Sequence, residues 1–535
     1  MDIARLLTVL SALLASFSYS HAVDRNEKQA ASERRLYDSL RHRAMAAWRE
    51  RMAEIATNPP ATKPNQDDLE ALVAFYKSTG GPTWTNNSGW TDAMEGSPCG
   101  VTNWYGVDCD ASGRVIGITL TRNNLVGPLP VELARATNLE NIVLFSNALS
   151  GSIPPEIFQL PNLTQFLVDF NQFVGELPRV LVAPRLQSLL LYTNHFSGEL
   201  PAVWKTPALE QLNVDGNEFV GNIPEGLGSA DNLTSLVLAH NNLSGAFPAS
   251  LASMKQLKQL WIFSTPNVSG PLPIAWSKLR LLTDVQIEGV TGAIPEWIGQ
   301  YWTLVQVLVL SRGNATGSLP LSLCELPNLE RLWLFDHQLT GEIPYCVNQM
   351  ASLQWIDLSH NRLTGEIPQQ FGYLKNMTHL ALGDNQLTGS LPDSLGHLET
   401  LESLDVCVNM LTGGIPTSFS AFYPRMYSFT ICYNTFSGPI PSELEQFLKR
   451  IDDYTCLMYG NPWSCPIPSY VPKSCGCTCS KCNSAENHAD CRSCVNSSEG
   501  CGFCNNGPNC LQGNATSPYI ITCPQGQWVF GTNGC

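Results

Sequence analysis

One hydrophobic pattern recurs along most of the chain. From about Val115 to Pro441 it reads L-x-x-L-x-L-x-x-N-x-L-x-G-x-I-P, with Leu, Ile, Val and Phe interchangeable, and Asn361-Arg-Leu-Thr-Gly365-Glu-Ile-Pro368 is a clean copy. The motif glycine falls at 127, 151, 175, 198, 221, 245, 270, 292, 317, 341, 365, 389, 413 and 438, fourteen copies spaced 22 to 25 residues apart. The alternating L-x-L predicts a short strand with one inward face, and no single repeat can bury that face without neighbours stacked on both sides. The expected fold is therefore an α/β solenoid. The recurring Asn can bond backbone groups of the turn through its amide, and a stack of such residues makes a ladder inside the coil. Gly permits the tight bend beside it, and Pro fixes the backbone as the chain leaves for the convex side. At about 4.8 Å per parallel strand, fourteen copies give a concave sheet on the order of 65 Å long.

The pattern fails in one zone. In the copies ending at Gly270, Gly292 and Gly317 the ladder Asn is lost, with Thr265 and Gly313 near its place; one copy is shortened and the next lengthened. A change of local curvature is expected there. His240, His337 and His360 fall at or next to ladder positions and read as turn residues.

Before the repeats stand Leu69-Glu-Ala-Leu-Val-Ala-Phe-Tyr76, Gly80-Gly-Pro-Thr-Trp84, Trp90, Cys99 and Trp104-Tyr-Gly-Val-Asp-Cys109. With the Gly-x-Ile-Pro repeat ending, these residues resemble the plant-specific class of leucine-rich-repeat proteins, found as receptor ectodomains and polygalacturonase-inhibiting proteins. The resemblance covers about three-fifths of the chain. It implies a superhelix or horseshoe with disulfide caps, an N-terminal cap over 66–114 closed by Cys99 and Cys109, and repeats over 115–441. Cys456, Asn461-Pro-Trp463, Cys465 and Cys475 are similar to the C-terminal cap of such ectodomains, placed at 442–480. Cys324 with Cys346, and Cys407 with Cys432, occupy near-equivalent places in adjacent repeats and are plausible bridges.

From Cys482 the spacing C-x8-C-x2-C-x6-C-G-F-C-x5-C, then Cys523 and Cys535, resembles the plexin-semaphorin-integrin (PSI) module, a small cysteine-rich domain at 481–535. That resemblance implies Cys482 with Cys501, Cys491 with Cys535, Cys494 with Cys510, and Cys504 with Cys523. Zinc is the competing reading for the two C-x-x-C pairs, but only six residues separate them and an oxidising compartment favours disulfides. The nineteen cysteines leave at least one without a partner in the chain, with Cys475, Cys477 and Cys479 as candidates.

The N-terminus has an apolar run from Leu6 to Phe17 before Ser20-His21-Ala22, which reads as a signal peptide over 1–22. Residues 24–57 are rich in Arg, Glu and Ala and predict a helix within an N-terminal segment at 23–65. Nine glycosylation sequons, at Asn86, Asn162, Asn232, Asn242, Asn267, Asn314, Asn376, Asn496 and Asn514, agree with secretion. The net charge of −15 opposes nucleic acid and anionic membrane surfaces as partners. No later segment is long and apolar enough to span a membrane, so any signalling would need a partner in trans.

Residues alternating with the buried L-x-L positions face outward on the concave side. There the chain is aromatic and acidic, and the candidate ligand residues are Tyr192, Trp261, Phe263, Asp284, Trp333, Phe335, Asp336, Trp355 and Asp357. Aromatic residues with carboxylates suit basic peptides, proteins or sugars. P-loop, nucleophile-elbow and H-E-x-x-H motifs are absent, so neither an enzyme nor a cofactor or metal site is expected. The leading expectation is a secreted binding protein for an extracellular protein, peptide or glycan. An inhibitor of a secreted hydrolase and a structural cell-coat component are the alternatives.

Overall fold

The computed structural model describes residues 65–90, 98–99 and 104–449, parts of 451–475, and the backbone of three short strands at 501–504, 510–512 and 528–529. The expected signal peptide, the segment up to residue 64, Asn496, Asn514 and the side chains of the expected cysteine module at 481–535 lie outside the described residues.

Stacking of the repeats produces a sheet of sixteen strands, from Val107–Cys109 to Cys456–Leu457. The first pair is antiparallel and every later pair is parallel in register, as one strand per repeat requires. The motif leucines fill the coil: Leu332, Ile356, Leu380 and Leu404 are buried at equivalent places on successive strands. Beyond the ladder, the L-x-G segments form a second set of short parallel sheets, and Phe173, Phe196 and Phe219 stack along it at 6.0 and 6.3 Å with ring planes 11° apart. The convex side is mostly five-residue 3-10 turns entered through the motif proline. Three repeats depart from this, two with paired strands Val180–Val182 and Val203–Lys205 and one with a short α-helix at Trp297–Tyr301 in place of the turns.

Each ladder asparagine joins two repeats. Asn361 donates through Nδ2 to the carbonyls of Leu334 at 2.8 Å and Leu358 at 3.1 Å, and its Oδ1 accepts from the Leu339 N–H at 3.0 Å. The residue before each ladder position takes a left-handed backbone: Arg122, Ser146, Phe170, Thr193, Gly216, His240, Ser264, Gly289, Arg312, Asp336, His360, Asp384, Val408 and Tyr433 all have positive φ. That conformation turns the strand toward the second sheet.

The irregular zone interrupts the ladder. Between Asn241 and Asn361 the positions hold Thr265, Val290, Gly313 and His337, and the second sheet divides between Asn267–Val268 and Thr291–Ala293. His337 is more than a turn residue, because it performs the ladder's work. The Ala315 N–H donates to its Nδ1 at 3.3 Å, and its Nε2 lies 3.2 Å from the Leu310 carbonyl. The glycine at 313 follows from this: a Cβ there would lie 2.9 Å from Cε1 of His337 and 2.3 Å from the Val290 carbonyl. The imidazole and the backbone of Val290 occupy the room that an asparagine side chain would need.

The N-terminal lid is the helix α1, Gln66–Ser78, capped by Asn65, whose side chain accepts from the Asp68 N–H. Its buried face packs on a nest of Phe75, Tyr76, Trp84 and Trp90, closed by Trp104. Asp68, 1% exposed, accepts from Arg114 Nε at 2.9 Å and from the Val115 N–H at 2.9 Å, tying the helix to the first parallel strand. Four disulfides are formed among the described residues: Cys99–Cys109, Cys324–Cys346, Cys407–Cys432 and Cys456–Cys475. The last removes Cys475 from the candidates for an unpaired cysteine.

Candidate ligand surface on the concave sheet

The strand pattern puts alternate residues on the concave face, but in-register stacking then presses like positions together every strand spacing. The outcome differs along the sheet. Tyr192 (3% exposed), Trp261 (1%), Phe263 (5%) and Trp333 (8%) are covered by their neighbours. Tyr192 belongs to a lateral cluster with Val143, Phe145, Leu167 and Leu190, and Trp261 and Phe263 to another with Val237 and Ala239. These aromatics close small satellite cores on the outer side of the sheet.

Asp284 and Asp357 are likewise engaged. Asp284 accepts from Trp261 Nε1 at 3.0 Å and from Gln286 Nε2 at 3.2 Å, and burial, outweighing those bonds and the charge of Arg331, pushes its carboxyl up to about 6. Asp357 is buried and accepts from the Ser359 N–H at 3.0 Å. Asp336 is exposed and Phe335 partly so.

Among the described residues, a row of aromatic rings runs across the strands from Arg331–Trp333 to Ser428–Thr430. Trp333 meets Trp355 at 4.9 Å and 63°, and Trp355 stacks on His379 at 4.0 Å with planes 12° apart. His379 Nε2 lies 2.7 Å from the Tyr427 hydroxyl, which reaches back over the intervening repeat, and Nδ1 lies 2.8 Å from Thr378 Oγ1. His379 and Tyr427 were not anticipated from sequence. His379 sits in the same strand position as Arg331 and Trp355, so the 24-residue register was the available signal. Tyr427 precedes its strand by one residue and contacts a repeat two removed, which local periodicity does not reveal.

Two features decide what the row can do. His379 covers one face of Trp355 and Trp333 meets the ring edge-on, so that face is closed to a ligand. Beside it, Arg331 pairs in register with Trp355, is partly exposed, and has no side-chain hydrogen bond or ion pair among the described residues. Along the adjoining rim, His360 Nδ1 lies 2.8 Å from Asp384 Oδ2, and that bond, against burial, holds the imidazole above its ordinary value.

Family models for leucine-rich repeats match residues 232–254 and 351–411, and a leucine-rich-repeat N-terminal domain matches 65–110. The fold is that of the plant leucine-rich-repeat receptor ectodomains. The plant peptide hormone receptor RGFR1, solved with RGF2, has a TM-score of 0.53 and 26% identity, over 63% of this chain and 62% of that one. The ectodomain of the Arabidopsis receptor kinase HAESA, solved with an N-terminally extended IDA peptide hormone, has a TM-score of 0.53 and 29% identity over 75% of each chain. A probable leucine-rich-repeat receptor-like protein kinase of Arabidopsis thaliana is 43% identical over 47 residues, 9% of this chain. The chain spans 5% of that kinase's length and 62% of the RGFR1 chain. Among the described residues no helix is long and apolar enough to cross a membrane.

Proposed function

We propose that this leucine-rich-repeat protein is an extracellular recognition protein whose concave sheet binds an extended peptide, or a peptide segment of a larger protein, along the row from Arg331 to Tyr427. The observation that carries the reading is Arg331, with no side-chain hydrogen bond among the described residues, beside Trp355, one face of which is already taken by His379. Sugars stack on open aromatic faces, whereas ring rims, a free arginine and the backbone-spaced side chains of parallel strands suit the carbonyls, carboxylates and apolar side chains of a peptide. The neighbours RGFR1 and HAESA, solved with peptide hormones, support the same class. In this reading the PSI-like segment from Cys482 is a spacer or docking element, and any signal passes to a separate chain.

The test is binding of the full-length glycosylated protein to arrays of extracellular peptides and of glycans, beside Arg331→Ala and Trp355→Ala variants whose circular dichroism matches the parent. Peptide binding that drops at least tenfold in both variants is the expected result, about 1.4 kcal/mol each. Glycan binding alone, or peptide binding untouched by either substitution, refutes the assignment.

A further inference from the structure

His337 is the single ladder side chain that bridges repeats between Asn241 and Asn361 and carries an ionisable ring. Its two bonds reproduce the two that each asparagine makes to the preceding repeat. Asn361 accepts from the N–H two residues beyond the preceding ladder position and donates to the carbonyl three residues before it; His337 does both to Ala315 and Leu310. Accepting through Nδ1 while donating through Nε2 is open only to the neutral imidazole, because the protonated ring has two donors and no acceptor. An asparagine in this place has no such dependence on pH.

We propose that His337 is a protonation-sensitive strut: acid converts its acceptor into a donor facing the Ala315 N–H and loosens the seam between the repeats on either side of Gly313. The surroundings favour this. The ring is 7% exposed, so a charge there is poorly solvated. Burial, outweighing the Gly313 and Leu310 backbone and the charge of Asp336, lowers its pKa below the ordinary 6.5. The ionisable groups around it are Asp336 on its own strand end, Arg312 on the preceding turn paired with Glu288 at 3.2 Å, and His360 on the following turn paired with Asp384. A folded value below the unfolded one means that the stability this group contributes is complete above the unfolded value near 6.5 and is lost as pH falls through the folded value. Neighbouring ladder side chains cannot compensate, since Gly313 has none and that of Val290 has no polar atom; the Gly313 backbone favours the protonated ring but is outweighed by burial. The seam adjoins Trp333 and Phe335, so loosening it shifts the upstream half of the concave sheet relative to the row from Arg331 to Tyr427.

Hydrogen exchange followed by mass spectrometry on the full chain, between pH 7 and pH 4.5 and corrected for intrinsic exchange, tests the idea. In the parent, protection of peptides covering 307–316 falls by up to about tenfold for each pH unit between the unfolded value near 6.5 and the lower folded value, and levels off below it, while ladder segments around Asn385 hold steady. His337→Asn and His337→Gln abolish the response, and His360→Gln leaves it intact. A parent without the response, a loss spread evenly over the repeats, or a response that survives in either His337 variant overturns the proposal. Should His337→Asn fail to fold, His337→Gln and the location of the loss in the parent decide the matter.

Discussion

Replacing Asn385 by alanine measures what one rung of the ladder is worth. Its Oδ1 accepts from the Leu363 N–H at 2.9 Å, and its Nδ2 donates to the carbonyls of Leu358 at 3.0 Å, Leu382 at 3.1 Å and Gly383 at 3.3 Å. The carbonyls each keep another donor: Asn361 serves Leu358, Asn409 serves Leu382, and the His360 N–H serves Gly383. Only the Leu363 N–H is orphaned. One buried unsatisfied donor costs about 1–3 kcal/mol, and the lost packing of a small amide adds less than that, so Asn385→Ala should destabilise its region by about 2–3 kcal/mol. Because a solenoid is stabilised by nearest-neighbour contacts, the loss should appear as faster native-state exchange near Leu363 and Leu387, with a smaller shift of the overall urea midpoint. Asn385→Asp sharpens the test. It retains the acceptor for Leu363 but turns a carboxylate toward three carbonyls, so it should outperform alanine in acid, where it is protonated, and lose that advantage as pH rises. A cost below about 0.5 kcal/mol for the alanine variant, a value typical of an indifferent surface site, would refute the claim that the ladder holds the repeats together.

Two further outcomes are expected. Asp68→Ala leaves Arg114 and the Val115 N–H without their buried acceptor and should cost about 3 kcal/mol of cap stability, measurable by urea denaturation; a loss under about 1 kcal/mol would show that the cap does not depend on this ion pair. Asp284→Asn keeps an acceptor for Trp261 and Gln286 but removes a carboxyl raised by burial from 3.8 to about 6. A raised acid favours the folded state only while protonated, so stability is lost as pH climbs from about 4 to about 6, and the variant should exceed the parent by on the order of 2 kcal/mol at pH 7.5 and by nothing at pH 3; equal melting curves at pH 7.5 would contradict this.

The coil was legible in the sequence because its cause is local: L-x-L and the asparagine recur at a fixed interval, and each copy can be stacked only on another. The bridges Cys324–Cys346 and Cys407–Cys432 followed from equivalent places in adjacent repeats, and Cys99–Cys109 from the resemblance of the cap to that of plant-type repeat proteins. The loss of asparagine at 265 and 313 was visible, but its reason was not, since no one-dimensional pattern relates Gly313 to an imidazole 24 residues later. The exposure of the concave residues was less legible for a related reason. Alternation tells which side of a strand Trp261 or Tyr192 lies on, yet exposure depends on what the next strand places beside it. The paired strands at Val180–Val182 and Val203–Lys205 escaped notice too, although V-L-V and V-W-K in two short repeats carry the alternation.

The left-handed residue ahead of each rung sets the terms on which this surface can change. An L-residue held in that conformation costs about 1–2 kcal/mol relative to an ordinary backbone, and glycine would remove the cost, but glycine stands at only two of the fourteen positions within the repeats, Gly216 and Gly289, and again at Gly460 before the cap rung Asn461. The rungs on either side hold the backbone firmly enough to tolerate Arg, Ser, Phe, Thr, His, Asp, Val and Tyr there. The side chains are thereby set free to vary along the whole edge of the concave sheet, so the buried ladder, which faces away from solvent, is what gives the outer edge its freedom to change.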